Sequence, residues 1–407
     1  MSNYRRSIGL GHISIVNKRT LPVTLNNGFF ATTGSIGEKW DQTLSNLFAD
    51  VLRTRVNDLV FFQIVKTDNE PANYLEKIME TDKRLQKMQE DNTLNRIIEP
   101  YGFTGVFKVK SKPFWDLHPI SLGENMEVES DYCIRILLEP VKYLPFVVPE
   151  GRAFDDNSDA GDLWNPKFKK SLGRGRSLTP TTPEEDMKLT RLISKTNDFE
   201  INLQVEDYPG RSNSPISIDQ RLHQDTSNVD EYKPKSLKEI DLNNIALVRE
   251  GKVKYEKTLE AWLMEKIDTG YPGLRDILGS EKDIKWFGNY LAFGFGGSNF
   301  DAMVIHERDI GEYKARYKIS LIELKKDTVG EGDIRQVLEY SKWVSMFLAG
   351  GDISMIQPIL IGNKIKDNAL ELAKSSALTR RPKLVEYYIE NERMVINPVF
   401  NPDPEFY

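Results

Sequence analysis

Apolar and polar positions change their spacing several times along the N-terminal half, which predicts short strands mixed with one helix. Apolar residues three and four apart between Lys39 and Leu52 are typical of an amphipathic helix. The mostly apolar run Leu59–Val65 predicts a buried strand, and the alternation from Gly105 to Lys110 predicts a half-buried one. Further strands are predicted at His12–Val16, Gly28–Thr33 and Tyr132–Leu138.

The middle of the chain holds one helix signal and then a shift in composition. Thr182 is a suitable N-cap, Pro183 suits the first helical position, and Glu184 and Glu185 favour the positive end of the helix dipole. From about Ser194 to Lys254 the chain has few apolar residues and no periodicity. This segment therefore predicts a polar linker or crossover.

The last third of the chain shows a clear order of helix, three strands, helix and strand. An alternating or continuous apolar pattern marks each strand, and a stripe at helical spacing marks each helix. The predicted elements are Tyr255–Ile267, Tyr290–Phe295, Phe300–His306, Tyr317–Leu324, Ile334–Leu348 and Ile356–Ile361. This order predicts an α/β domain with a mixed sheet flanked by helices.

Composition narrows the class of protein. A chain of 407 residues predicts two or three domains at about 100–200 residues each. One cysteine, Cys133, excludes an intramolecular disulfide framework and a cysteine-clustered zinc site. No apolar run approaches the roughly 20 residues that span a bilayer, and Met1–Arg6 is polar, so we expect a soluble, cytoplasmic protein without a membrane partner. The net charge of -6 argues against a uniformly basic surface but leaves local patches open.

The strongest chemical signal is the combination of Asp301, Glu323 and Lys325. Residues two apart in a strand face the same side, so Glu323 and Lys325 project together from an otherwise apolar strand. Buried charges of this kind are costly unless they are paired or bind a metal. With Asp301 from a neighbouring strand, two carboxylates and a lysine suit Mg²⁺ or Mn²⁺ and a phosphate.

Three further residues lie on the flanking helices. Gln336 and Tyr340 are four residues apart and share a helix face, where they can orient a water or a phosphate. Glu260 on the preceding helix offers another carboxylate.

Together these residues resemble the PD-(D/E)XK nuclease superfamily, in particular its RecB-like and NucS-like branch, over Tyr255–Gly362. The matching features are Glu260, Asp301, the Glu323-Leu324-Lys325 triplet and the Gln336/Tyr340 spacing; the proline that often precedes the first aspartate is replaced by Phe300. The resemblance implies a metal-dependent phosphodiesterase with Asp301, Glu323 and Glu260 as ligands and Lys325 as the catalytic lysine.

The N-terminal half has a second resemblance. Asn57–Phe62 and Gly102–Trp115 resemble the strand pair of EVE and YTH domains in the PUA-like group, an α+β fold with a small barrel. Such domains hold a flipped, modified base in an aromatic pocket. Pocket candidates are Phe29, Trp40 and Trp164, although a place in the core is favoured for each of them.

A basic stretch without acidic residues runs from Asn165 to Arg176. Its cationic residues are candidates for phosphate contact, although a charge run is also compatible with a solvated loop. These residues are Lys167, Lys169, Lys170, Arg174 and Arg176.

The sequence therefore predicts a PUA-like reader domain over residues 1–195, a polar linker over 196–250 and a nuclease domain over 251–407. The predicted function is a Mg²⁺- or Mn²⁺-dependent endonuclease that selects modified or marked DNA, such as phage DNA, in restriction or antiviral defence. We expect a homo-oligomer, since cutting both strands usually needs two active sites. Two alternatives stay open: an inactive nuclease fold that only binds nucleic acid or acts as a scaffold, and a nuclease for RNA or for mismatched or branched DNA.

Overall fold

The computed structural model describes a defined part of the chain. The described ranges are 10–16, 28–32, 42–65, 101–116, 133–142, 147–155, 176–200, 251–293, 298–375, 380–391 and 393–402, with residues 24, 120–121, 127–128, 163, 238–239, 248–249 and 378.

These ranges contain both helices and strands. The helices are α1 (Gln42–Leu52), α2 (Glu150–Asp155), α3 (Pro183–Glu200), α4 (Glu256–Lys266), α5 (Pro272–Leu278), α6 (Glu331–Leu348) and α7 (Asp367–Lys374). The strands are β1 (Gly11–Val16), β2 (Phe29–Thr32), β3 (Leu59–Ile64), β4 (Gly102–Val109), β5 (Phe114–Trp115), β6 (Ile120–Ser121), β7 (Glu127–Val128), β8 (Ile134–Lys142), β9 (Val148–Pro149), β10 (Leu178–Thr181), β11 (Lys238–Glu239), β12 (Val248–Arg249), β13 (Lys252–Val253), β14 (Ile284–Phe293), β15 (Ser298–Ile310), β16 (Tyr313–Val329), β17 (Ile356–Ile365), β18 (Lys383–Glu390) and β19 (Arg393–Phe400).

The strands form two large mixed sheets, one of which curls into a half-barrel. The first sheet has the order β10-β1-β3-β4-β8-β5-β11, with β2 on β8 and β9 on β4. Its β1 and β3 run parallel, whereas the other pairs are antiparallel. A mixed α/β architecture is therefore confirmed, while the PUA-like identity of the first half stays a prediction.

The second sheet positions the candidate chemistry. It has the order β14-β15-β16-β17-β18-β19, beginning with an antiparallel meander and continuing through the parallel strands β16, β17 and β18. Parallel neighbours need a crossover, and helices α6 and α7 provide the two crossovers. The predicted order of helix, three strands, helix and strand is confirmed.

Helices α1 and α4 pack against each other and join the two halves of the protein. Apolar residues of both halves, including Phe48 and Leu259, belong to one continuous core. Polar contacts follow the same contact surface: Ser45 Oγ lies 3.2 Å from Thr258 Oγ1, and Arg55 Nη2 lies 2.7 Å from Asp268 Oδ1. The two sheets are thus held together by direct packing.

Some elements differ from the predictions. Strand β16 begins at Tyr313 rather than Tyr317, and β18, β19, α5 and α7 were not expected. The apolar residues of β19 are interrupted by exposed positions because it is an edge strand, so its alternation is weak. Helix α3 continues to Glu200, beyond the predicted boundary at residue 195. Most of the predicted linker 196–250 lies outside the described residues, and the domain limits stay predictions.

None of the helices within the described ranges has both the length and the apolar character needed to cross a membrane.

Candidate active site

Pairing of β15 with β16 brings Asp301 beside Glu323. Ala302 pairs with Ile322, so the preceding residue of β15 lies next to the following residue of the antiparallel β16. The Oδ2 atom of Asp301 accepts a hydrogen bond of 2.9 Å from the backbone N–H of Leu324. The first aspartate is thereby fixed to the centre of the Glu323-Leu324-Lys325 triplet, as the sequence predicts.

Lys325 completes this group. Its Nζ atom donates to Glu323 Oε1 at 2.8 Å and lies 3.6 Å from Asp333 Oδ1 on α6. Burial by itself lowers the pKa of Lys325, but the nearby carboxylates outweigh it and raise the pKa above its ordinary value. The lysine therefore stays cationic beside the two carboxylates.

The surroundings of Glu323 disfavour the ionised form of its carboxyl group. Burial and the charge of Asp301 raise its pKa to about 7, against the opposing effect of Lys325. Its second oxygen, Oε2, is buried and has no hydrogen-bond partner among the residues that the structure describes. An unsatisfied buried carboxylate oxygen is rare in folded proteins, and a cation is one way to satisfy it.

Helix α4 contributes Glu256, which was not selected from the sequence. Burial and the charge of Asp301 raise the pKa of Glu256, while the charges of Lys325 and Lys257 lower it. Its Oε2 atom accepts a hydrogen bond of 3.3 Å from the backbone N–H of Lys326. Glu256 lies four residues before Glu260 on one helix face, and that spacing is the signal that could have identified it.

Glu260 lies deeper than the prediction supposed, and both of its carboxylate oxygens are already engaged. Oε1 accepts hydrogen bonds from Arg176 Nη1 at 3.2 Å and Asn289 Nδ2 at 2.6 Å, and Oε2 accepts from Lys257 Nζ at 2.6 Å. Burial raises its pKa, but Lys257 and Arg176 outweigh this and bring the pKa to about 2. Lys257 also contacts Asp301 Oδ1 at 3.0 Å, so Glu260 reaches the site through this lysine.

Gln336 and Tyr340 share one face of α6, as predicted. Gln336 Nε2 donates a hydrogen bond to the Tyr340 hydroxyl. Burial raises the pKa of Tyr340; the hydrogen bond with Gln336 lowers it, and the charges of Glu323 and Asp301 raise it further.

A cleft of about 370 Å³ lies between the start of α4 and the end of β16. Glu256 and Lys325 line the cleft, together with the lysines Lys254 and Lys326. The lining residues are Lys254, Tyr255, Glu256, Lys325, Lys326, Asp327 and Thr328. The cleft therefore reaches the candidate site at Lys325 and Glu256.

The donor set suits a hard divalent cation with few protein ligands. Over the described ranges, no three histidine, cysteine, aspartate or glutamate side chains form a group that could hold a metal by themselves. Mg²⁺ usually takes only one or two carboxylates and keeps several waters. Asp301 and Glu323 fit that requirement, since Oε2 of Glu323 is buried without a hydrogen-bond partner in the part of the chain that the structure describes.

The predicted basic surface is corrected at Arg176. Its side chain is 3% exposed and forms ion pairs with Asp50 and Glu260, so it does not reach a phosphate at the surface. The reason is that these buried carboxylates need a compensating charge. The other four members, Lys167, Lys169, Lys170 and Arg174, lie outside the described residues.

The predicted base pocket is corrected at Phe29. This ring is 1% exposed in β2, and the guanidinium of Arg135 lies 5.2 Å from its centroid. Arg135 is in turn paired with buried Asp116 at 3.0 Å. Phe29 is therefore a core residue, whereas Trp40 and Trp164 lie outside the described residues.

A comparison of the sequence with models of protein families and with curated protein sequences finds no match.

Proposed function

We propose that this protein is a Mg²⁺- or Mn²⁺-dependent endonuclease that hydrolyses phosphodiester bonds in DNA. The observation that carries the proposal is the Oε2 atom of Glu323, which is buried and has no hydrogen-bond partner among the described residues. It lies beside Lys325 on the same strand and Asp301 on the adjacent strand. The resemblance of these residues to the PD-(D/E)XK superfamily supports the same reaction.

Each residue of the site has a role in this proposal. Asp301 and Glu323 would hold the cation, and Glu256 on α4 contacts the backbone of β16 at Lys326. A bound Mg²⁺ supplies a Lewis acid for the scissile phosphate. Lys325 stabilises negative charge on the phosphate, and Gln336 and Tyr340 orient the attacking water or the phosphate. Glu260 is a supporting residue because its oxygens are engaged by Arg176, Asn289 and Lys257.

A polyanionic substrate is supported by the cleft next to the site. Lys254, Lys325 and Lys326 line it, and their ammonium groups suit the phosphates of a nucleic-acid backbone. We propose DNA as that substrate and selection of modified or phage DNA by the N-terminal half, in restriction or antiviral defence. This choice is supported by the resemblance of that half to EVE and YTH domains.

A cleavage assay with and without Mg²⁺ tests the proposal on RNA and on plasmid and phage DNA, modified and unmodified. Lys325→Ala is expected to abolish cleavage because it removes the ammonium group that faces the phosphate. Glu323→Gln is expected to abolish it because it removes a carboxylate ligand of the metal ion. Lys314→Ala is a matched control, since Lys314 is an exposed lysine on the same strand. Full cleavage by Lys325→Ala overturns the assignment, and cleavage of RNA alone overturns the choice of substrate.

A further inference from the structure

A buried series of alternating charges connects the N-terminal half to the candidate site. Arg176 Nη2 lies 2.8 Å from Asp50 Oδ1 on α1, and its Nη1 lies 3.2 Å from Glu260 Oε1 on α4. Lys257 Nζ then lies 2.6 Å from Glu260 Oε2 and 3.0 Å from Asp301 Oδ1. The series ends on a carboxylate to which we assign cation binding.

Lys257 is shared between two carboxylates whose other contacts differ. Glu260 keeps Arg176 and Asn289 as partners when the lysine is removed. Asp301 Oδ2 accepts a hydrogen bond from the backbone N–H of Leu324, and Asp301 Oδ1 accepts one from Lys257 Nζ. A divalent cation that binds Oδ1 must therefore share this oxygen with the ammonium group or displace it.

We propose that Lys257 is a positioning residue that sets how tightly Asp301 binds a divalent cation, and that Glu260 controls it by drawing the ammonium group away from Asp301. The inference rests on the proposed function, because it takes Asp301 as a cation ligand. A unit positive charge this close to a carboxylate competes with a cation, and the competition strengthens in a partly buried site. Arg176, which precedes β10, donates a hydrogen bond to Glu260 and holds it in place. Through Glu260 it also affects how tightly Asp301 binds the cation.

The test is the affinity of the full-length protein for Mn²⁺, measured by isothermal titration calorimetry without DNA. Lys257→Met is expected to bind Mn²⁺ about tenfold more tightly than the wild type, since the competing charge is gone. Glu260→Gln is expected to bind it about tenfold more weakly, because Lys257 then turns to Asp301. Glu260→Gln made on top of Lys257→Met is expected to have no further effect, since the two residues act through one contact.

Two controls separate charge from structure. Lys257→Arg keeps the positive charge, and its affinity for Mn²⁺ is expected to equal that of the wild type. Lys266→Met removes another lysine of α4, one that pairs with Glu265, and is expected to leave the affinity unchanged. Thermal unfolding of each variant shows that it is folded.

The outcomes distinguish this inference from the proposed function. Wild-type Mn²⁺ binding that disappears in Glu323→Gln but is unchanged or weaker in folded Lys257→Met overturns only the role of Lys257. Failure of Lys257→Met to fold leaves Glu260→Gln as the measurement, and an unweakened affinity there overturns the inference. Absence of Mn²⁺ binding in both the wild type and Lys257→Met overturns the proposed function and the inference together.

Discussion

Arg176 is an arginine whose charge is used inside the protein. Its guanidinium is paired with Asp50 and Glu260 and lies 4.3 Å from the centroid of the Tyr290 ring. Two buried carboxylates would otherwise lack one of their compensating charges. A basic residue in a basic stretch of sequence has thus become part of the core.

Removal of this charge is expected to destabilise the fold strongly. Arg176→Met should lower the free energy of unfolding by about 3–5 kcal/mol, because it leaves buried carboxylates less compensated. Arg335→Met is the control, since Arg335 forms an exposed pair with Glu331 that contributes at most about 0.5 kcal/mol. Urea denaturation measures both, and equal effects would contradict the assigned burial.

His306 is a buried histidine in β15 that is surrounded by positive charge. Its Nε2 lies 3.0 Å from Ser320 Oγ, and its Nδ1 has no partner within the described part of the chain. Burial, together with the charges of Lys318, Lys383 and Arg308, holds the pKa of His306 well below its ordinary value of 6.5. The folded protein therefore keeps this imidazole neutral.

The pH dependence of stability follows from this lowered pKa. Below about pH 6.5 the unfolded chain binds a proton that the folded imidazole refuses, so the free energy of unfolding falls as the pH falls. Above that pH both states are neutral and His306 contributes nothing to the slope. Between about pH 6.5 and 5, His306→Gln is expected to reduce the slope by up to about 1.4 kcal/mol per pH unit. An unchanged slope in urea denaturation would contradict this account; buried His12 contributes with the same sign in both proteins.

Among the elements, helix α3 shows how a local signal fixes a boundary. The helix begins at Pro183, as predicted, and its N-cap is a reciprocal pair: the backbone N–H of Glu185 donates to Thr182 Oγ1 at 3.3 Å, and the backbone N–H of Thr182 donates to Glu185 Oε2 at 2.7 Å. This capping box satisfies two backbone donors that would otherwise be unpaired.

Loss of the cap is expected to have a moderate effect. Thr182→Ala should lower the free energy of unfolding by about 1 kcal/mol, because the hydroxyl acceptor is removed. Thr182→Ser keeps the hydroxyl and should stay near the wild type. The difference between the two variants in urea denaturation is the measurement, and equal stabilities would show that the cap contributes nothing.

At the scale of the whole molecule, α1 and α4 make the two halves one structural unit. Apolar residues of both halves share a core, and Arg55 Nη2 donates to the Met264 carbonyl at 2.8 Å across the same contact. A core shared in this way couples the unfolding of its two sides.

Unfolding of the full chain is therefore expected to be a single transition. Tryptophan fluorescence and circular dichroism should give coincident urea curves. A fragment of residues 251–407 should be less stable than the same residues in the full chain, because its α4 face loses the packing of α1. Two separate transitions, with the fragment as stable as the second, would show that the halves are independent.

The sequence by itself determined the order of elements in the last third and the meeting of Asp301, Glu323 and Lys325. These features depend on alternation within a strand and on pairing of neighbours in the sheet, which are encoded by residues close together in the chain. The capping box of α3 is local for the same reason. Strand β18 and the edge strand β19 were missed because partial exposure weakens their alternation.

Only the tertiary structure decided which charged residues are buried and which partners they pair with. Arg176 and Glu260 are 84 positions apart in the sequence, and Arg53 and its partner Asn289 are 236 apart. No local pattern reports such a contact, so the sequence favoured a surface role for Arg176. Burial and ion-pair partners depend on how distant segments pack, and packing sets the charge of the candidate site.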